Sequence, residues 1–160
     1  MNNLNDEISR RKALRHYLER LSALIGEKIE EDQLMSVTET RRISDQLKLI
    51  PRSKASTLTL KFKQLEETWT GSLAKRLSHT KQTSVVLFIP GALLCGGISL
   101  NSVSLFKCQI PFKLIPEGVI TIATNDGEDC LIFDLSINDS GDEIVEIELR
   151  GNTWSKIQLR

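Results

Sequence analysis

The sequence predicts an α+β fold in which N-terminal helices pack on a C-terminal antiparallel β-meander. Apolar residues recur at helical spacing as far as about residue 82, and beyond it they alternate with the period of strands. The charge changes at the same place, because residues 1–82 carry sixteen Lys and Arg against eleven Asp and Glu, whereas residues 83–160 carry five against ten. Helices followed by antiparallel strands are typical of the α+β class.

Three helices are predicted in the first half. The first spans about residues 6–26 and buries one apolar face. The second, over 30–49, starts with three acidic residues that suit the positive end of a helix dipole, and Pro51 ends it. Apolar residues over 58–77 indicate a third helix, although residues 58–63 also alternate with period two, so its beginning could be extended. The apolar face of the first helix consists of Leu14, Tyr17, Leu18, Leu21, Leu24 and Ile25.

The second half is predicted to form strands. The apolar run 85–89 fits a central strand covered on both faces, and the small residues of 91–97 fit a tight turn. In the third strand of the meander, Val145, Ile147 and Leu149 point to one face while Glu146 and Glu148 point to the other. The meander consists of strands at 119–124, 130–136, 143–150 and 154–159, separated by Asn, Asp and Gly residues that favour hairpin turns.

Length and composition predict a single domain over residues 1–160, with a helical part (1–82) and a sheet part (83–160). The polar, acidic start has no secretory signal, and no apolar run approaches the ~20 residues that cross a bilayer. The three cysteines are expected to be buried free thiols in a reducing compartment. We therefore expect a cytoplasmic protein that does not bind membranes. The cysteines are Cys95, Cys108 and Cys130.

No catalytic or metal-binding motif is recognisable, so we expect neither an enzyme nor a cofactor. His16 and His79 lie on different predicted helices without ligand residues nearby, and are expected on the surface. The acidic turn 125–129 lacks the ligand pattern of a calcium loop. Asp134 interrupts an apolar strand, where we expect it to contact an Arg or Lys of a helix.

Acidic residues on the predicted hairpins are the best candidates for binding a partner. They follow one strand face and two turns, and such a surface suits a basic protein, for example the cationic groove of a nuclease. The candidate residues are Glu128, Asp129, Asp142, Glu143, Glu146 and Glu148.

Residues 115–136 resemble bacterial toxin-immunity proteins. Three stretches, Ile115-Pro116-Glu117-Gly118, Asn125-Asp126-Gly127 and Cys130-Leu131-Ile132-Phe133-Asp134-Leu135-Ser136, are similar to the proline, Asn/Asp-Gly and hydrophobic-Asp-Leu-Ser pattern of the SUKH superfamily. The broader class includes the immunity proteins of contact-dependent growth inhibition. The resemblance implies a cytoplasmic, non-catalytic protein that neutralises a cognate toxin by occluding its active site.

An alternative interpretation concerns residues 42–67, which look like a helix-turn-helix that reads DNA. The second helix would carry Arg52, Ser53, Lys54 and Ser56 at its start, where such residues suit contacts with phosphates and base edges. A nucleic acid is expected as a partner only under this interpretation.

Overall fold

The structure, a computed structural model, describes residues 2–80, 84–108, 115 and 118–159. It confirms the α+β fold, with helices packed on a six-stranded antiparallel sheet. The helices are α1 (Asn2–Ile25), α2 (Val37–Lys48), α3 (Leu65–Thr68), α4 (Ala74–Ser78) and α5 (Ala92–Cys95). The strands are β1 (Ser56–Lys61), β2 (Val85–Phe88), β3 (Ile98–Leu100), β4 (Val119–Thr124), β5 (Asp129–Ile137) and β6 (Glu143–Gly151).

The first predicted helix is confirmed as α1, which starts four residues earlier than expected. The second starts later than predicted, because Glu31–Gln33 forms a separate 3-10 turn and Leu34 then bridges to Ile98 of β3. The side-chain oxygen of Ser36 accepts a hydrogen bond from the backbone N–H of Glu39 (3.1 Å) and caps α2. A polar residue at this position stabilises a helix start, so α2 begins here and not at residue 30.

The ambiguous start of the third predicted helix is extended. Residues 56–61 form β1, and only after a 3-10 turn does the chain become helical in α3. A π-helical turn over Trp69–Leu73, which contains Gly71, joins α3 to α4.

The strand order in the sheet is β1-β6-β5-β4-β2-β3, and every neighbouring pair is antiparallel. The three consecutive strands β4, β5 and β6 form the predicted meander. The predicted central strand is confirmed as β2, which lies between β4 and β3 and is buried along its whole length.

The predicted fourth meander strand, over residues 154–159, is wrong. Residues Trp154–Lys156 form a 3-10 turn, and the place beside β6 is occupied by β1. Because β1 comes from the helical part of the sequence, the division at residue 82 does not separate two structural units.

The two faces of the sheet are covered differently. On the inner face, the ring of Trp69 packs edge-on against Phe106 and Phe133, with centroid distances of 5.6 Å. On the outer face, α2 covers β2, β4 and the start of β5, where Leu47 of α2 and the buried Cys130 of β5 line the same depression. Much of the outer face on β1, β5 and β6 therefore has no helix above it.

No helix within the described ranges is long and apolar enough to span a bilayer.

Candidate partner-binding site

The uncovered part of the outer face is the candidate site, and we call it the open face. Residues that pair across strands lie in rows, and the central row runs from Thr59 through Glu146 and Asp134 to Val119. All four side chains of this row are exposed. The open face consists of Thr57, Thr59 and Lys61 of β1, Ile144 and Glu146 of β6, Asp134 and Ser136 of β5, and Val119 of β4.

Two carboxylates lie side by side at the centre of the open face. Asp134 on β5 is directly opposite Glu146 on β6, which places their Cβ atoms about 5 Å apart. Within the described part of the chain, neither carboxylate forms a hydrogen bond or an ion pair. Like charges in this arrangement destabilise a sheet, so the pair leaves an uncompensated negative charge on the surface.

The contact predicted for Asp134 with a helix cation is wrong. Two described cations of the outer face are engaged with other carboxylates, since Lys61 lies 3.8 Å from Asp142 and Arg150 is bound to Glu148. Asp134 is exposed in the middle of its strand and has Val119 and Glu146 as its cross-strand neighbours.

Glu148 differs from Glu146, although both point to the outer face. Arg150 donates two hydrogen bonds to the Glu148 carboxylate, one of them from Nη2 to Oε2 at 3.0 Å. This hydrogen bonding raises the pKa of Arg150. Because the side chains of Glu148 and Arg150 are only 17% and 14% exposed and are paired with each other, they contribute little free charge to the surface.

Asp129 was predicted to bind a partner, but its carboxylate is buried (4% exposed). Its Oδ1 accepts hydrogen bonds from the backbone N–H groups of Thr153 (2.7 Å) and Trp154 (2.8 Å). The residue therefore holds the turn after β6 in place and is not available to a partner.

The remaining predicted acids lie at opposite ends of the β5–β6 hairpin. Glu128 is exposed in the turn before β5, whereas Asp142 and Glu143 are exposed where β6 begins. A strand of nine residues spans about 27 Å, so the two ends do not form one surface. Strand alternation places Glu143 on the side of the buried Val145, opposite to Glu146, and Asp142 is paired with Lys61. Of the acidic side chains on these strands, the structure thus brings only Asp134 next to Glu146 on the outer face.

A depression of about 530 Å³ lies between α2 and strands β5 and β6, next to the open face. Its lining combines apolar side chains such as Leu47 and Ile132 with the cationic groups of Lys48, Arg52 and Arg150. Nothing in the sequence indicates this depression, because it forms only when α2 packs across the sheet. Lys48 is paired with Asp45 (2.9 Å) and Arg150 with Glu148, so the depression carries less free positive charge than its lining suggests.

The helix-turn-helix interpretation is wrong. Arg52–Lys54 forms a single 3-10 turn, and Ser56 begins β1, so no second helix exists to carry these residues into a DNA groove. The side chains of Arg52, Ser53 and Lys54 are exposed on that turn.

The three cysteines are buried and form no disulfide, as predicted. Burial raises the pKa of Cys130 to about 11 and also raises the pKa values of Cys95 and Cys108, so their thiols stay protonated near neutral pH. His16 and His79 are exposed, as predicted. In the part of the chain that the structure describes, no three His, Cys, Asp or Glu residues are grouped so that they could hold a metal ion.

The sequence matches no model of a known protein family, and no curated protein or solved structure is significantly similar to it.

Proposed function

We propose that this chain is a non-catalytic binding protein that holds a basic protein partner on its open face. The observation that carries the proposal is the pair of exposed carboxylates, Asp134 and Glu146, which lie directly opposite each other without a compensating cation among the described residues. A partner that places a Lys or Arg between them would remove the repulsion and gain a charge-assisted hydrogen bond to each.

The surroundings of the pair favour a protein over a small cation. Val119 is 40% exposed on the same row, and the half-buried Ile144 lies two residues from Glu146 on the same face of β6. Apolar side chains around a charged centre are typical of protein interfaces, where the charges set orientation and association rate.

Within this class, we propose that the chain is an immunity protein that neutralises a cognate toxin by occluding its active site. The support for this step is the resemblance of residues 115–136, which include all of β4 and most of β5. Asp134 belongs both to the resemblance and to the open face. A flat acidic surface would block a cationic active site, such as that of a nuclease, by steric and electrostatic means.

The test is the affinity for the product of the neighbouring open reading frame, produced as a catalytically inactive variant. We expect the double variant Asp134→Lys with Glu146→Lys to bind about 100-fold more weakly, equal to about 2.8 kcal/mol, because two attractive contacts become repulsive. Association of the wild-type protein should also slow as ionic strength rises.

The matched control is Glu67→Lys with Glu128→Lys, which changes the net charge equally at exposed positions outside the open face. Its affinity should stay close to wild type. If both double variants weaken binding equally, net charge alone explains the effect. If Asp134→Lys with Glu146→Lys leaves the affinity unchanged, the open face does not bind the partner. If the wild-type chain does not bind that product, the immunity role fails.

A further inference from the structure

Helix α1 carries a second stripe of side chains besides the face that it buries. Residues at alternating steps of four and three, the spacing of a helix–helix seam, form this stripe. Leu4 and Ile8 at its start are 70% and 46% exposed, which is unusual for large apolar residues that lie together. The stripe consists of Leu4, Ile8, Arg11, Arg15, Leu18 and Ser22.

The beginning of α1 is exposed. Every residue from 4 to 9, almost two helical turns, is exposed among the described residues. The core contacts of α1 start later, with the partly buried Ala13 and Leu14 and then the buried Tyr17.

Further along the same stripe lies a groove of about 820 Å³ with an apolar floor. Leu14 and Leu18 of α1 form one side and Ile29 forms the other. Ser22 holds the two sides together, because its hydroxyl donates to the Leu18 carbonyl (2.7 Å) and accepts from the Ile29 backbone N–H (2.9 Å). The groove is therefore a shallow apolar surface whose two sides are connected by hydrogen bonds.

We propose that two copies of this chain associate through α1 helices that run antiparallel, so that Leu4 and Ile8 of each copy enter the groove of the other. A twofold axis near Arg11 places residues 4 and 8 of one helix beside residues 18 and 14 of its partner helix. One surface then supplies both the inserted side chains and the groove, as a twofold symmetric interface requires.

The charged residues around the stripe are compatible with the antiparallel arrangement, because Arg11, which meets its own copy at the axis, is already paired with Glu7 of its own helix. With the axis near Arg11, Glu7 of one copy lies beside Arg15 of the other. Within each helix, Glu7 is also paired with Arg11 (2.7 Å) and Arg15 with Glu19 (3.2 Å). A parallel pair would place Glu7 beside Glu7 and would leave both grooves empty.

A second copy fits this surface better than a lipid membrane does. Both stripe guanidinium groups are paired with carboxylates, which weakens their attraction to anionic headgroups. The lining of the groove also includes Glu19, Glu27 and Glu30, whose carboxylates repel an anionic lipid surface. None of the stripe residues belongs to the open face, so this inference is independent of the proposed function.

Sedimentation equilibrium over a range of protein concentrations tests the proposal. The mass of the wild-type chain should rise with concentration from 18.0 kDa to twice that value. We expect Leu4→Glu with Ile8→Glu to weaken the association about 100-fold. Asn5→Glu with Ser9→Glu, at exposed positions that each lie about 100° around α1 from the substituted stripe residue before it, should weaken it much less. All four positions are exposed, so the variants should fold.

A charge exchange tests the direction of the helices. Arg15→Glu alone should weaken the dimer. The fourfold exchange Glu7→Arg, Arg11→Glu, Arg15→Glu and Glu19→Arg, which keeps both ion pairs within each helix, should restore it. A wild-type mass that stays at 18.0 kDa, or no recovery in the exchanged variant, would overturn the proposal. If monomers bind phosphatidylglycerol vesicles and lose this binding with Leu4→Glu and Ile8→Glu, the stripe binds a membrane and the dimer proposal is wrong.

Discussion

The carboxylate of Asp129 lies where β5 meets the chain that leaves β6. Gly151, opposite Asp129 in the ladder, has a φ of +109°, and a Cβ there would lie 2.2 Å from the Glu128 carbonyl oxygen. The backbone therefore turns tightly at this point and directs the N–H groups of Thr153 and Trp154 at the carboxylate. Burial of these donors is tolerated because the charged acceptor satisfies both of them.

Replacing Asp129 by Ala should lower the free energy of unfolding by about 2 to 3 kcal/mol, because two N–H groups lose a charged acceptor and the buried donor of Trp154 is left unpaired. Glu128→Ala provides the matched control, since this neighbour is exposed and should change stability by less than about 0.5 kcal/mol. Urea unfolding monitored by tryptophan fluorescence measures both. A loss below about 0.5 kcal/mol for Asp129→Ala would contradict the structural role.

At the residue scale, the sequence predicts which side chains share a face of one strand better than it predicts which are buried or which face each other across strands. Glu148 and Arg150 are two residues apart in a strand, so their common face follows from strand periodicity, and their ion pair is accessible from the sequence. The opposition of Asp134 and Glu146 is different, because it depends on the register of the hairpin. The burial of Asp129 depends on contacts with residues more than twenty positions away.

The π-helical turn between α3 and α4 is the irregular element of the helical segment. It adds a residue to the turn at Trp69, whose indole N–H donates to the Phe106 carbonyl (3.0 Å) while its ring packs on Phe133. Gly71 lies in this turn on the exposed side, with no atom within 4 Å of the position of a Cβ. Glycine is therefore not required there by any contact.

Gly71→Ala should stabilise the protein by about 0.5 to 1 kcal/mol, because alanine loses less backbone entropy in a helical conformation. Gly96→Ala is the contrasting variant. Gly96 has a φ of +103°, and its Cβ would lie 2.1 Å from the Met35 carbonyl oxygen, so we expect a loss of at least about 2 kcal/mol. Thermal unfolding followed by circular dichroism measures both, and a destabilising Gly71→Ala would show that the π turn needs glycine.

At the element scale, local sequence patterns predict α1 and three strands of the meander. They do not predict segments whose secondary structure depends on pairing with distant strands. Residues 58–63 fit both helical and strand spacing, and the free edge of β6 selects the strand. Residues 154–159 alternate like a strand, but β1 already occupies that edge and Asp129 fixes the chain in a 3-10 turn. The start of α2 moves to Ser36 because Leu34 is recruited to β3.

The basic and acidic halves of the sequence do not form two separate structural units. Strand β1, from the basic half, forms one edge of the sheet, and Trp69 from the same half lies among aromatic residues of the other half. A single cluster of buried apolar residues extends from Tyr17 to Trp154. The sequence predicts the acidic character of the sheet, whereas the open face itself depends on which strands α2 leaves uncovered.

The shared core predicts that residues 83–160 do not fold alone. Without β1, six ladder positions of β6, from Ile144 to Leu149, lose their partners on one side. Without Trp69, the inner face loses the ring that packs on Phe133 and Phe106. An antiparallel sheet with an apolar face exposed to water lacks the buried area that stabilises a domain of this size.

We expect the fragment 83–160, purified alone, to give a poorly dispersed ¹H–¹⁵N correlation spectrum and no cooperative thermal transition. Co-expression with fragment 1–82 should restore both, because the missing strand and helices can then pair and pack without a covalent connection. The full chain serves as the reference spectrum. A fragment 83–160 that unfolds cooperatively and shows native-like dispersion would mean that the sheet part is an independent domain, and that β1 and the helices only add to a structure already stable without them.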